Sequence, residues 1–464
     1  MPANMKGRVT TGFERLLARA RGLVAAGRAE EAKSAYLEAL RQDPASGPAL
    51  SELAALAYEN DNRAAARTLY KQMVQCHPKN ATGWINLGTI LFEDGELFAA
   101  RSALEAALRI DDTSLEAHRS LAQVLAALDE TDEAEAHWRA SFPGQGIAEQ
   151  RYRGKEPGTR VLILASVKGG NIPAKHIFDG RAYKATVLYV EYYRPALPLP
   201  RHDLVFNAIG DADLCRDALA VAERIAARSD APLINPPAEV MKTGRAENAA
   251  RLGALPQVCA PRMSLMRKCD VEGMVLPLLL RAPGFHTGQH FVKVDREEDI
   301  APALFSLPGD DVLAIEYLDA RGADGKARKY RVMFINGALY PLHLAVSSDW
   351  KVHYFTADMG IDEDHRQEEQ RFLDDMGQAL GPKVMSVLAR IAAELGLDYG
   401  GIDFAVRQDG ALLFFEANAT MVIVPPPTDA KWDYRRAAIA RALDAAKELP
   451  LAKIRSASSL AMCG

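Results

Sequence analysis

The sequence predicts a multidomain protein in which an all-α array of stacked helix pairs precedes a mixed region of strands and helices. Three observations lead to this prediction. The first third of the chain repeats every 34 residues, the middle alternates short apolar runs with helical spacing, and the last part contains paired strand patterns joined by tight turns. A chain of 464 residues has room for two to four domains.

The 34-residue period is carried by small, apolar and turn-forming positions. A small side chain permits close approach of paired helices, a turn residue connects them, and Pro44 and Pro78 end units. Each pair leaves an apolar face that only the next pair covers, so the units are expected to stack. The positions in step are Ala32, Ala66, Ala100 and Ala134; Leu53, Leu87 and Leu121; Tyr36, Tyr70, Leu104 and Trp138; and Gly27, Asp61, Gly95 and Asp129.

This pattern resembles the tetratricopeptide repeat family over residues 10–142. The resemblance implies a solenoid whose concave groove holds a peptide or protein. An array that only spaces other domains or mediates dimerisation is the alternative.

Composition and charge exclude several classes of protein. The net charge of −5 offers no basic excess for a nucleic-acid partner. The longest apolar run, 274–280, contains Pro277 and is far shorter than the roughly 20 residues of a membrane span. The N-terminus has no apolar signal segment, and the five cysteines are scattered. We therefore expect a cytoplasmic protein without nucleic-acid or membrane partners.

Further domain boundaries follow from shifts in composition. Residues 143–159 are rich in Gly, Pro and charge and are predicted to be a linker. Three apolar runs and a helical segment in residues 160–240 predict a small parallel α/β domain. Residues 241–450 form the next predicted domain, and 451–464 are expected to be a tail.

Three segments of the last domain carry chemistry. In the first, residues 276–294, Arg281 and Lys293 flank a loop that contains Gly284, His286 and Gly288. Cations on strands beside a glycine-containing loop suit a polyphosphate, and a plain β-hairpin is the alternative.

The second segment contains a strand ending at residues 316–318 and a hairpin turning at Asn336-Gly337. Arg331, and His343 on the returning strand, are expected to face a common cleft. A merely solvated Arg331 is the alternative.

The third segment is a hairpin with Asp403 on one strand and Glu416 and Asn418 on the other. Glu416 and Asn418 are two residues apart and share a face. Carboxylates among apolar residues need a cation, and oxygen-only ligands suit Mg²⁺. An exposed hairpin with incidental charges is the alternative.

Taken in order, these segments resemble the ATP-grasp superfamily, nearest to its carboxylate–amine ligases, across residues 160–445. The resemblance implies an α+β ATP-grasp fold after a small parallel α/β pre-domain. It also implies roles: two Mg²⁺ ions on Asp403, Glu416 and Asn418; adenine on Glu316, Tyr317 and Leu318, with Asp319 toward ribose; phosphates under the loop from Gly284 to Gly288, between Arg281 and Lys293; and Arg331 on the transferred phosphate.

The implied activity is an ATP-dependent ligase that forms a C–N bond through an acyl phosphate and releases ADP and phosphate. Lys351 or Arg331 would stabilise the oxyanion, because Gly401 stands where one branch of the family has arginine. The repeats favour a peptide or protein substrate. The alternative is a peptide-binding scaffold with a degenerate ATP-grasp domain, which Gly401 and Arg281, at a position usually occupied by lysine, would favour.

Overall fold

The computed structural model describes residues 12–60, 62–142, 146–150, 152–271, 273–283, 290–352, 357–427 and 429–463. The chain divides into two compact units, residues 1–145 and 146–464. In its described part the first unit contains only helices: α1 (Gly12–Ala25), α2 (Ala29–Gln42), α3 (Gly47–Glu59), α4 (Arg63–Cys76), α5 (Ala81–Glu93), α6 (Leu97–Ile110), α7 (Leu115–Ala127) and α8 (Thr131–Ser141).

The repeating positions of the sequence occupy equivalent places in successive helix pairs. The recurring alanines lie near the start of the second helix of each pair and are at most 3% exposed. Gly27, Gly95 and Asp129 occupy the turns within pairs with φ of 74°, 80° and 62°, a region that favours residues of these types. Asp61, the fourth turn position, lies outside the described residues. The 34-residue period is therefore one helix pair, and the prediction of a helical array is confirmed.

The second unit begins with a mostly parallel sheet in the order β1-β3-β2-β4-β5. The segment predicted as a linker contributes its edge strand β1, which pairs antiparallel with β3. The elements are β1 (Ile147–Glu149), β2 (Thr159–Ala165), β3 (Tyr183–Tyr189), β4 (Leu204–Asn207), α9 (Arg216–Ala226), β5 (Leu233–Ile234), α10 (Pro237–Met241) and α11 (Arg245–Gly253).

Two further sheets follow, a four-stranded antiparallel sheet in the order β7-β10-β8-β9 and a five-stranded sheet in the order β12-β11-β13-β14-β6. In the five-stranded sheet only β6 runs parallel to its neighbour among the described strands. The elements are β6 (Val258–Cys259), β7 (Met263–Arg267), β8 (Leu278–Arg281), β9 (Phe291–Val294), α12 (Ile300–Ser306), β10 (Asp311–Glu316), β11 (Ala327–Ile335), β12 (Ala338–Ser347), α13 (Glu363–Asp374), α14 (Met376–Leu395), β13 (Tyr399–Val406), β14 (Leu412–Asn418) and α15 (Arg436–Cys463). Residues 451–463, predicted as a tail, continue α15.

The mostly parallel sheet β1-β3-β2-β4-β5 and the mostly antiparallel sheet β12-β11-β13-β14-β6 share one apolar core, in which Phe206 and Phe404 are fully buried. Asn235, directly after β5, fastens the two sheets: its side chain donates to the carbonyl of Tyr399 at 2.8 Å and accepts from the Tyr399 N–H at 2.8 Å. The four-stranded sheet packs α12 over a separate core that includes Leu280 and Val312. The second unit therefore contains two separate apolar cores, one shared by the two five-stranded sheets and one under the four-stranded sheet.

Candidate functional site

A row of polar side chains crosses the sheet with the strand order β12-β11-β13-β14-β6. His343 on β12 lies opposite Arg331 on β11, Arg331 lies opposite Asp403 on β13, and Asp403 lies opposite Glu416 on β14. Residues directly opposite one another in antiparallel strands project from the same face of a sheet. The strand register therefore brings four predicted site residues into one row, with Arg331 and His343 on paired positions.

The sheet is irregular at this row. The pairing of β11 with β12 shifts directly after Arg331, and the pairing of β13 with β14 shifts directly after Asp403. Each shift leaves one extra residue on the partner strand, Leu342 on β12 and Phe415 on β14. Such bulges bend a strand and redirect side chains, and they are frequent beside functional sites.

Asp403 is held by two cations. Arg331 donates from Nε to Oδ1 at 2.6 Å and from Nη2 to Oδ2 at 2.8 Å, and Lys329 Nζ lies 3.1 Å from Oδ2. Burial, the largest effect, raises the pKa of Asp403, but the charges of Arg331 and Lys329 outweigh it, and the pKa lies well below its usual range. Sequence reasoning missed Lys329, although strand alternation places residues 329 and 331 on one face.

His343 closes the row on the side away from the carboxylates. Its side chain is 8% exposed, and burial together with the positive charge of Arg331 lowers its pKa well below the ordinary value. The imidazole is therefore neutral at pH 7 and adds no charge to the cluster.

Glu416 and Asn418 are adjacent at the end of β14, and Arg245 joins them from the start of α11. Arg245 Nη2 lies 2.9 Å from Glu416 Oε1, and Asn418 Nδ2 donates to the same oxygen at 2.9 Å. The amide oxygen of Asn418 accepts from the N–H of Thr420 at 3.0 Å and from its hydroxyl at 2.9 Å. Arg245 is thus a second cation of the site whose role was not predicted.

Arg281, at the end of β8, brings the four-stranded sheet to this cluster. Its side chain is buried, and its guanidinium carbon lies 5.5 Å from the centre of the Phe291 ring. Burial and the positive charge of Arg245 lower the pKa of Arg281 to about 10, while Glu416 acts in the opposite direction. Arg281 therefore remains charged at pH 7, and its charge interacts with that of Glu416.

Asp403, Glu416 and Asn418 carry oxygen atoms of the type that hard divalent cations take as ligands. Asp403 and Glu416 lie on paired positions, and the amide nitrogen of Asn418 contacts Glu416 while its amide oxygen accepts from Thr420. The compensating cations show that the position of these carboxylates requires positive charge. Over the described ranges, no three His, Cys, Asp or Glu side chains are grouped to hold a metal ion. The set of Asp403, Glu416 and Asn418 contains only two such side chains, because its third member is an amide.

A cavity of about 460 Å³ lies where the four-stranded sheet meets the loop after β12. Its edges include two aromatic rings, Tyr317 and Trp350, whose centres are 6.4 Å apart. Lys293 Nζ lies 4.6 Å from the centre of the Tyr317 ring. The residues that line the cavity are Lys293, Tyr317, Arg321, Ser348, Asp349 and Trp350.

The remaining predicted site residues that the structure describes are sequence neighbours of residues lining this cavity. Glu316 accepts hydrogen bonds from Arg262, which lower its pKa, and Leu318 is half-buried beside Tyr317. Asp319 pairs with Arg321. Lys351 Nζ donates to the carbonyl of Phe291 at 3.5 Å. Gly284, His286 and Gly288 lie outside the described residues.

Comparison with known proteins bears on the first unit. A sequence profile described as tetratricopeptide repeat matches residues 23–87. The N-terminal region carries tetratricopeptide repeats. This segment is a scaffold of the protein-binding type, which is consistent with the predicted peptide or protein partner.

Two solved structures illustrate the similarity. MamA 41-end from Desulfovibrio magneticus RS-1 is 19% identical, with 28% of this chain and 74% of that chain covered and a TM-score of 0.27. The thermophilic TPR protein TTC0263 from Thermus thermophilus is 25% identical, with 28% of this chain and 74% of that chain covered and a TM-score of 0.25. No curated protein matches the chain.

Among the helices of the described residues, none combines the length and apolar character needed to cross a bilayer.

Proposed function

We propose that the second unit is an ATP-dependent ligase that joins a carboxylate to an amine, and that the repeats hold a peptide or protein substrate. The observation that carries this proposal is the cross-strand row His343, Arg331, Asp403 and Glu416, because it gathers acidic and basic groups on one face. The cavity beside Tyr317 supports the proposal, because its lining combines aromatic and cationic side chains.

The proposed reaction has two steps. A carboxylate oxygen of the substrate attacks the γ-phosphorus of ATP, and ADP leaves. The amine then attacks the carbonyl carbon of the acyl phosphate, phosphate leaves with the electrons of the C–O bond, and the nitrogen loses a proton. Such chemistry asks the protein mainly to align the reactants and to neutralise negative charge.

Each group of the site has a task in this scheme. Asp403, Glu416 and Asn418 would hold Mg²⁺, which when bound offsets the charge of the phosphates. Arg331, fixed by its two hydrogen bonds to Asp403, would stabilise charge on the transferred phosphoryl group. Lys293 and Tyr317 would contact the nucleotide from the cavity.

Thermal unfolding of the full chain tests the proposal. We expect ATP with Mg²⁺ to raise Tm, because a ligand at a hundredfold excess over its Kd stabilises a folded protein by about 2.7 kcal/mol. ATP without Mg²⁺ should have a smaller effect. The double variant Asp403→Asn/Glu416→Gln should lose the Mg²⁺-dependent rise, because amides replace the carboxylate ligands.

A matched control removes two exposed carboxylates of the same kinds. In Glu298→Gln/Asp310→Asn, both altered side chains are well exposed, 69% and 88%, and the rise in Tm should persist. If the unaltered protein shows no rise with Mg²⁺ and ATP, the ligase proposal fails. The repeat scaffold with an inactive second unit would then be favoured, consistent with carboxylates that the chain neutralises internally.

A further inference from the structure

We propose that Arg245 is an internal counter-ion that competes with a divalent cation for Glu416, so that the cation binds well only together with an anionic nucleotide. The inference rests on the proposed function, because it concerns the same carboxylate. It adds that binding of the cation and binding of the nucleotide are coupled, which the presence of Asp403, Glu416 and Asn418 alone does not require.

The contacts of Glu416 Oε1 are the first support. This oxygen receives both Arg245 Nη2 and Asn418 Nδ2, each at 2.9 Å. Both groups are donors, so they occupy the lone pairs that a cation would need. The Arg245 and Glu416 side chains are 18% and 27% exposed, which limits screening by water. A cation at this oxygen must therefore displace one of these donors, and Arg245 is its direct competitor because the two carry like charge.

The position of Arg245 is itself fixed. Its backbone N–H donates to the carboxylate of Asp213, with distances of 3.1 and 3.3 Å, and its Nε lies 3.7 Å from Asp213 Oδ2. The preceding Gly244 makes this approach possible, since a Cβ there would lie 2.9 Å from Asp213 Oδ1. Asp213 thus holds the start of α11 so that the guanidinium reaches β14.

The charge of Arg245 explains the coupling. Moving the guanidinium away from Glu416 breaks a 2.9 Å ion pair, which is unfavourable unless another anion approaches. A triphosphate supplies that anion and also carries the cation. Binding of either ligand then favours binding of the other, which is a positive coupling between the two sites.

A titration of the nucleotide-free full chain with Mn²⁺, followed by electron paramagnetic resonance, tests the competition. We expect Arg245→Gln to bind Mn²⁺ about fivefold more tightly than the unaltered protein, the factor that corresponds to about 1 kcal/mol. Arg245→Lys keeps the charge and should bind like the unaltered protein. Adding Glu416→Gln to Arg245→Gln should remove the gain.

Arg216→Gln is the matched control, because Arg216 also pairs with a glutamate, Glu247, but both side chains are more than half exposed. This variant should not change Mn²⁺ affinity. Equal or weaker Mn²⁺ binding by Arg245→Gln would overturn the inference. If Mg²⁺ and ATP still raise Tm of the unaltered protein in that case, the ligase proposal stands and only the competition is wrong.

Discussion

Asp403 combines deep burial with two ion pairs, and this determines how its charge contributes to stability. A carboxylate that is 5% exposed would be strongly unfavourable alone, and removing one partner of a buried pair typically costs about 3–5 kcal/mol. Here Arg331 and Lys329 share the compensation. The two cations that compensate Asp403 therefore also hold β11 and β13 together.

The depressed pKa of Asp403 predicts a dependence of stability on pH. The folded state keeps this carboxylate ionised below the pH at which the unfolded chain protonates it, near 3.9, so its contribution is present above that pH and is lost on acidification. We expect the difference in unfolding free energy between the unaltered protein and Asp403→Asn to shrink by about 1.4 kcal/mol per pH unit below about pH 4. Urea unfolding at several pH values measures it.

Parallel curves for the two proteins across this range would contradict the prediction. Asp409→Asn is a suitable control, because the Asp409 side chain is 55% exposed at a hairpin turn and its loss should leave a much smaller trend with pH.

Helix α5 contacts α6 closely at Gly88. A Cβ on Gly88 would lie 2.6 Å from Leu104 Cγ, and Leu104 is fully buried. The close approach of paired helices inferred from the small recurring residues thus has a measurable counterpart within the third helix pair.

Gly88→Ala is expected to destabilise the repeat array by about 1–3 kcal/mol, because the added methyl group forces Leu104 to shift in a packed core. Gly22→Ala is the matched control: that helical position is exposed and has no atom within 4 Å of the added Cβ. The control should stabilise α1 by up to about 1 kcal/mol. Urea unfolding followed by circular dichroism distinguishes the two, and equal effects would refute the packing argument.

Local patterns predicted elements better than partnerships between them. The repeats and the hairpins around Asn336 and Asp409 follow from short-range periodicity and turn chemistry, which the sequence displays directly. The pairing of Arg331 with Asp403 joins residues 72 positions apart, and Arg245 reaches Glu416 from another helix. No sequence period links such residues, so the candidate ligands were predicted while Lys329 and Arg245 were missed as their counter-ions.

Segments without a strong pattern were also difficult to predict. The strand β1 contains three residues, and its stability comes from the ready-made edge of β3 rather than from its own composition. The end of α15 is similar, since the helix passes through Pro450 and its composition alone gave no reason to extend it beyond residue 450.

The molecule as a whole contains two units with different kinds of core. In the repeats, the buried cluster around Leu17, Tyr36 and Leu53 is built from neighbouring helices. In the second unit, sheets that are distant in sequence share apolar residues. We therefore expect the first unit to fold by itself more readily than the second.

We expect residues 1–145, produced alone, to be helical and to unfold cooperatively on heating, because each described helix packs against its neighbours in this segment. A shorter fragment of residues 1–80 should unfold at a lower temperature, since fewer helix pairs stack on one another. Circular dichroism measures both. An unfolded 1–145 fragment would show that the repeats depend on the rest of the chain.

The locality of the repeat contacts also has a consequence for synthesis on the ribosome. Helices α1 to α8 pack in chain order, so each pair can form soon after it emerges. The second unit is different, because Asn235 forms its hydrogen bond with Tyr399 only after residue 399 has been synthesised. Both β5 and β12 also pack against α15, which is the last helix of the chain. We therefore expect a nascent chain to carry a folded repeat array while the second unit is still incomplete.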